Sequence, residues 1–209
     1  EPERCNDSGD ISWLRVEPIP AGITTKAIDG HDGTVVLAAR LGDRRVLLQR
    51  RAVDGAIDGE LYGEPVDDCA NPWASGMAIG PSGVTLSGTL RGAYSFGPLA
   101  TEDDGSGRLG ASHAYVLTTS IQLEPVSLSH YMSGTAADVP PVKSELHEVV
   151  AQDGAWLGGW YHSTIDLDGT VLETALEEEA VLFHRTPSGE IDAVGAPPNA
   201  FRVFLGGVK

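Results

Sequence analysis

A strand–turn–strand pattern recurs three times along the chain and constrains its fold more than any other feature. Each copy has an apolar stretch, a tight turn containing glycine, and a second stretch rich in small residues. The turn glycines are Gly33, Gly83 and Gly154, and we expect positive φ there, a region that glycine enters without a steric penalty. Such self-similarity is typical of repeat architectures. The pattern therefore predicts three similar β-hairpins.

Two more predicted strands follow each hairpin. A period of two dominates over the helical period, and Gly, Pro, Asp and Ser bound the apolar runs. The predicted third strands are 45–52, 113–121 and 179–185, and the fourth strands are 59–62, 125–131 and 190–194. Four strands in meander order are typical of a propeller blade. We therefore predict an all-β, β-propeller-like array of four-stranded meander blades, with three full blades plus partial terminal strands.

We expect one β-propeller-like domain or propeller segment over residues 1–209, since this length fits one domain. The approximate blades are 22–63, 74–132 and 143–195, and the flanking strands are 11–17 and 201–205. A propeller must close, because open end blades expose backbone and apolar faces. The array would be completed by a larger propeller, by another chain, or by a shared fourth blade. We favour an array that is incomplete by itself over one closed by a shared fourth blade. An incomplete array predicts a protein partner or self-association.

Two stretches that follow the second strands resemble a known repeat. They are 85–97, with its Tyr-Ser-Phe-Gly turn, and 157–169, and the segment 9–13 adds a glycine-to-tryptophan pattern. They resemble the repeat of bacterial extracellular β-propellers of the seven-bladed and delta-60 types. This resemblance implies a propeller fold and supplies structural turns, not chemistry. The first repeat departs from it, because it lacks the phenylalanine–glycine turn and the long loop.

The charge balance excludes some partners. The 209 residues carry a formal net charge of −16, whereas binding to phosphates relies on clustered Lys and Arg. We therefore expect no nucleic-acid partner. No apolar run approaches the roughly 18 residues that span a bilayer, so no membrane span is predicted.

The two cysteines, Cys5 and Cys69, lie in polar, turn-like stretches. Unpaired cysteines are usually buried in apolar surroundings, so we predict a disulfide; the alternative is two unpaired, partly exposed thiols. A disulfide implies an oxidising compartment, and we expect a secreted, periplasmic or cell-surface protein. A chain that begins at Glu1 without a signal-peptide pattern is expected to be a mature, processed or excised segment.

The connections between strands differ on the two faces of the array. Those between first and second strands, and between third and fourth strands, are short; we call this side the turn face. The long connections, on the long-loop face, are 63–73, 93–112, 133–143 and 165–178. Function usually lies in elaborated loops on a rigid scaffold, so we predict the binding site on the long-loop face. The alternative is that these long connections are mobile and carry no function.

The long-loop face is predicted to be acidic. Asp166 and Asp168 alternate before Gly169, and hard cations such as Ca²⁺ bind several carboxylate or carbonyl oxygens. This pair is a weak metal candidate, because the full calcium-loop pattern is missing. The alternative is a solvated turn, and we expect no cofactor unless calcium binds here.

Four arginines form a local basic segment. Arg44, Arg45, Arg50 and Arg51 flank a short apolar run, and strand alternation sends neighbouring side chains to opposite faces. The four therefore cannot form one tight patch. They are candidates for contact with an acidic neighbouring subunit; the alternative is pairing with acidic side chains of adjacent strands.

An aromatic segment invites a carbohydrate-binding hypothesis. Trp160 and His162 lie beside Trp156 and Tyr161, and the faces of aromatic rings stack on sugar rings. The alternative is packing between blades, and we expect Trp73 to be a packing residue by the same argument.

Catalysis has little support in the sequence. The six histidines are dispersed, and neither a HExxH, a GxSxG nor a CxxC motif occurs. We therefore predict a non-catalytic, secreted or cell-surface binding or assembly module, part of a larger propeller or of a multi-chain complex. The alternative is a glycan-binding domain or a glycan-processing enzyme that uses the acidic long-loop face.

Overall fold

The computed structural model describes residues 24–31, 33–102, 111–133, 144–151, 153–174 and 178–195. All regular structure within these ranges is β, in sixteen strands, which confirms the all-β prediction. Over the same ranges, no helix is long and apolar enough to cross a membrane. The predicted flanking strands 11–17 and 201–205 lie outside the described residues.

Three antiparallel meanders form the body of the fold. The first unit has strands β1 (Thr24–His31), β2 (Thr34–Arg40), β3 (Val46–Arg51) and β4 (Ile57–Pro65). The second unit has β5 (Trp73–Gly80), β6 (Gly83–Leu90), β9 (His113–Thr119) and β10 (Pro125–Tyr131). The third unit has β11 (Ser144–Ala151), β12 (Ala155–Tyr161), β15 (Glu179–Arg185) and β16 (Ile191–Gly195). The described strands do not close into a propeller, so closure stays a prediction.

The three units share their turn geometry. The turn glycines Gly33, Gly83 and Gly154 have φ of 74°, 130° and 128°, as the pattern predicts. Each third strand then reaches the fourth through a five-residue turn with the same two backbone hydrogen bonds, over 52–56, 120–124 and 186–190. These matching bonds show that the repeat found in the sequence is a structural repeat.

Two apolar cores lie between the units. Leu48 and Leu86 belong to the core between the first and second units, and Leu157 and Phe183 belong to the core between the second and third. Strand β9 serves both, because its successive side chains point to opposite faces. The first strands β1, β5 and β11 lie next to one another in that order. The units therefore pack face to face, with their first strands at one side.

Short hairpins interrupt the second and third units between their second and third strands. They consist of β7 (Tyr94–Phe96) with β8 (Leu99–Ala100), and of β13 (Thr164–Leu167) with β14 (Thr170–Glu173). Strand β7 pairs with β4 and so extends the sheet of the first unit. The long connections predicted at 93–112 and 165–178 are therefore present, and each contains an ordered hairpin that the sequence did not predict.

Candidate functional site

A groove on the long-loop face is the candidate binding site. It has a volume of about 270 Å³, and we call it the inter-unit groove. Its lining residues are Asn71, Trp73, Thr89, Arg91, Ser112 and Glu145. Five of them come from the second unit or the segment just before it, and Glu145 comes from β11 of the third unit. The groove therefore depends on the packing of neighbouring units.

One stretch of strand ladder positions four of the lining side chains. Trp73 pairs with Thr89 at the long-loop end of β5 and β6. Just beyond this pair, the N–H of Asn71 donates to the carbonyl oxygen of Arg91 at 2.9 Å. Residues two apart on a strand lie on the same face. The side chains of Asn71, Trp73, Thr89 and Arg91 therefore share one side of the sheet.

Arg40, at the end of β2 in the first unit, contacts two of these side chains. Its Nη2 donates to Oδ1 of Asn71 at 2.6 Å, and its guanidinium carbon lies 5.3 Å from the centroid of the Trp73 ring. This is a cation–π contact. It fixes the tryptophan while leaving 41% of its surface exposed. Trp73 thus contacts the neighbouring unit, as a packing residue would, and also presents exposed ring surface to the groove.

Glu145 is the lining residue that the third unit contributes. Its Oε1 accepts a hydrogen bond from the Oγ of Ser75 at 2.9 Å, which joins β11 to β5. Ser75 is the extra residue of a β-bulge in β5, and bulges re-aim side chains near functional sites. The carboxylate is thus held at a fixed place in the groove.

Arg91, which lines the groove, and Arg40, which contacts Trp73 beside it, differ in their bonding from the other arginines that the structure describes. The buried Nε atoms of Arg40 and Arg91 have no hydrogen-bond partner in the described structure. A buried donor without a partner costs roughly 1–3 kcal/mol. Buried donors of this kind are commonly satisfied by an ordered water or a bound ion.

The four arginines predicted as a partner contact bind within the chain. Arg44 donates to the carbonyl oxygen of Asp68 at 2.6 Å, and Arg45 lies 2.7 Å from Asp43. Arg50 lies 2.8 Å from Asp58 and also donates to the carbonyl oxygen of Ile121. The buried Arg51 donates to Gly55 and Gln49. These contacts fit the alternative of pairing inside the chain, and contact with a subunit stays a prediction.

The structure does not place Trp160 and His162 among the lining residues of the inter-unit groove. Trp160 is half-buried and lies opposite Glu145 in the β11–β12 ladder. The buried Nδ1 of His162 has no hydrogen-bond partner in the described structure. Their carbohydrate role stays a prediction.

The candidate metal ligands lie in the turn of the β13–β14 hairpin. Oδ1 of Asp166 accepts the N–H of Gly169 at 2.7 Å, so this carboxylate caps the turn. Desolvation raises the pKa of Asp168; Arg185 opposes the shift and Asp166 adds to it. Among the described residues, no three His, Cys, Asp or Glu side chains cluster around a possible metal position.

Cys69 is a free, half-buried thiol, and Cys5 lies outside the described residues. The described residues thus contain no disulfide, and the pairing of Cys5 with Cys69 stays a prediction. The neighbouring Asp67 orders this loop, because its carboxylate accepts the N–H groups of Cys69 and Ala93, both at 2.6 Å.

Sequence reasoning missed Arg40, Asn71 and Arg91 as site residues. A usable pattern was present, because Asn71 lies two residues before Trp73, which begins a strand, and Arg91 follows a strand. All three therefore had to lie at the long-loop end of their sheet. No family model, no curated protein and no solved structure matches this chain.

Proposed function

We propose that this chain is a non-catalytic, extracellular, propeller-like binding module that takes its ligand in the inter-unit groove. The observation that carries the proposal is the convergence of Arg40, Trp73, Arg91 and Glu145 from three packed units. Strand ends, not loop tips, supply most of these residues. A site on rigid elements binds without a large ordering penalty.

The chemistry of the lining favours binding over catalysis. Hydrolysis of a glycosidic bond generally uses two carboxyl groups on either side of the scissile bond. Among the lining residues that the structure describes, Glu145 is the one carboxylate. The glycan-binding part of the alternative is therefore better supported than the glycan-processing part.

A fragment screen followed by protein NMR tests the proposal without assuming a ligand. We expect shifts from bound fragments to concentrate at the amides of Asn71, Thr89 and Ser112. Trp73→Ala should abolish these shifts. Val53→Ala should preserve them, because Val53 is 61% exposed in a turn on the opposite face.

The proposal fails if the fragments concentrate on the turn face. That face has a smaller cavity of about 70 Å³, lined in part by Thr118 and Arg185. It fails equally if fragments bind without preference for either face.

Assembly with another chain is a second candidate function, favoured by the way β7 extends the sheet of the first unit. A unit can therefore complete its neighbour's sheet by strand addition. Light scattering of the full chain tests this candidate. A stoichiometric oligomer would support it, and a strict 21.9 kDa monomer at high concentration would contradict it.

A further inference from the structure

We infer that the inter-unit groove binds a negatively charged sugar, with its oxyanion at Arg91 and Arg40 and a sugar ring against Trp73. The oxyanion is a carboxylate or a sulfate. The inference rests on the proposed function and names the ligand class of that same site.

The arginines supply the recognition of charge. Among the described arginines, Arg40 and Arg91 are distinguished by buried Nε atoms without an acceptor. Arg45 and Arg50 form ion pairs with carboxylates, and Arg44 and Arg185 donate to carbonyl or hydroxyl oxygens. A guanidinium presents a planar fork of donors that matches a carboxylate or a sulfate. On a chain with a net charge of −16, such a pair of arginines is a local exception.

Trp73 supplies the surface for the sugar ring. The indole is 41% exposed although it begins a strand, and Arg40 holds it in place. The C–H face of a sugar ring is apolar, so it gains by covering exposed aromatic carbon. An inorganic anion would use the arginines but would leave this surface exposed.

The remaining lining groups suit sugar hydroxyls. Thr89 and Ser112 carry hydroxyl groups that both donate and accept, and Glu145 carries an acceptor already fixed by Ser75. Since a carboxylate repels a second anion, the ligand's oxyanion lies at the arginines of the first and second units. Its hydroxyls then lie toward Glu145 of the third unit, which gives the ligand one orientation.

The size of the groove limits the ligand. A volume of about 270 Å³ lies just below the range of ligand pockets, which begins at about 300 Å³. This accommodates a sugar ring or two along an open groove, and it is too small for a folded segment of a partner protein.

Calorimetric titration of the full chain with three trisaccharides tests the inference. The probes are trigalacturonate, sulfated galactotriose and neutral galactotriose. We expect at least one acidic probe to bind about tenfold or more tightly than the neutral one, with an affinity that falls as salt is added. The acidic probe that binds more tightly identifies the preferred oxyanion as a carboxylate or a sulfate. Equal binding of all three, or binding of none, overturns the inference.

Substitution of Arg91 locates the charge recognition. Arg91→Gln should weaken acidic binding about 10- to 100-fold and leave neutral binding unchanged. Arg45→Gln removes the same charge from an exposed ion pair and should change the affinity by less than about twofold. Arg91→Lys keeps the charge but loses the fork, so we expect an intermediate loss. Equal effects of Arg91→Gln and Arg45→Gln would contradict the inference.

Two further comparisons keep the outcomes distinct. If Arg91→Gln does not fold, titration of the unsubstituted chain still decides, because only an acidic probe should shift the amides of Asn71 and Thr89 to saturation. If fragments concentrate in the groove but acidic sugars show no preference, the proposed function stands and this inference fails. If fragments concentrate elsewhere, both fail.

Discussion

The two inserted hairpins occupy the same place in their units but are attached in different ways. Strand β7 pairs with β4 through Gly63–Phe96, Glu64–Ser95 and Pro65–Tyr94. The β13–β14 hairpin forms its own two-stranded sheet. It joins the preceding unit through one bridge, Ser133–Ile165.

Side-chain burial replaces backbone pairing in the second hairpin. Ile165 and Leu167 are 0% and 1% exposed and belong to the core between the second and third units. In the first hairpin, the Tyr94 hydroxyl accepts the N–H of Val46 at 2.8 Å and donates to the carbonyl oxygen of Gly63 at 2.7 Å. The comparison shows that one architectural position tolerates two means of attachment, so the repeat conserves placement and not bonding.

Removing the anchor ring of the β7–β8 hairpin should have the largest effect. Phe96 is 1% exposed and packs against Tyr94 and Tyr115 with ring centroids 5.3 and 6.3 Å away. We expect Phe96→Ala to lower the free energy of unfolding by about 3–5 kcal/mol, measured by urea denaturation. Val171→Ala, at a site 55% exposed, should change it by less than about 0.5 kcal/mol. Similar losses in both variants would refute this role of Phe96.

Replacement of Ile165 by alanine should weaken the attachment of the β13–β14 hairpin. Because one bridge holds the backbone, the loss of apolar burial is not compensated by a strand ladder. We expect Ile165→Ala to lower the free energy of unfolding by about 2–3 kcal/mol. We also expect it to speed amide hydrogen exchange over residues 164–173 more than over residues 94–100. Faster exchange in both hairpins alike would show that they unfold as one unit.

A methyl group at Gly63 should disturb the backbone attachment of β7. A Cβ there would lie 2.5 Å from a ring carbon of Tyr94, with Phe96 closer still. We expect Gly63→Ala to cost about 1–3 kcal/mol in thermal or urea unfolding. Gly195 is the matched control, since it also lies on a fourth strand and its nearest contact would be 3.9 Å away. An equal loss in Gly195→Ala would point to strand propensity instead of ring contact.

The hydroxyl of Tyr94 should matter more than that of Tyr115. Both tyrosines are buried, but the hydroxyl of Tyr115 has no hydrogen-bond partner in the described structure, and burial raises the pKa of Tyr115. Tyr94→Phe leaves Val46 and Gly63 unpaired, so we expect a loss of about 1–2 kcal/mol. Tyr115→Phe should be neutral or stabilising under the same denaturation conditions. The reverse order would contradict the bonding of β7 described above.

The smallest effect should appear at alkaline pH near the β13–β14 hairpin. Burial, with Glu179 nearby, raises the pKa of Tyr161 to about 12, against about 10 in an unfolded chain. The neutral phenol therefore stabilises the fold fully below pH 10, and this contribution is lost as the pH rises to about 12. Tyr161→Phe should flatten the fall in stability over that window. It should run parallel to the unsubstituted chain from pH 7 to 9.

The sequence predicts the regular parts of the fold and misses what depends on packing between units. The turn glycines and third strands follow from local pattern, since alternation and φ preference need no tertiary information. Strands β7 and β13 have three and four residues, too few to show alternation. Arg40 and Arg91 are single polar residues at strand ends. The contact of Arg40 with Trp73 depends on how two sheets pack, and a local sequence pattern carries no information about that packing.

The pairing of β7 with β4 also sets an order of assembly during synthesis. The end of the outer strand β4, residues 63–65, leaves the ribosome before the strand that covers it, Tyr94–Phe96. Between those moments the nascent chain exposes an edge that a foreign strand could occupy. The edge therefore stays uncovered for as long as the intervening strands β5 and β6 take to be translated.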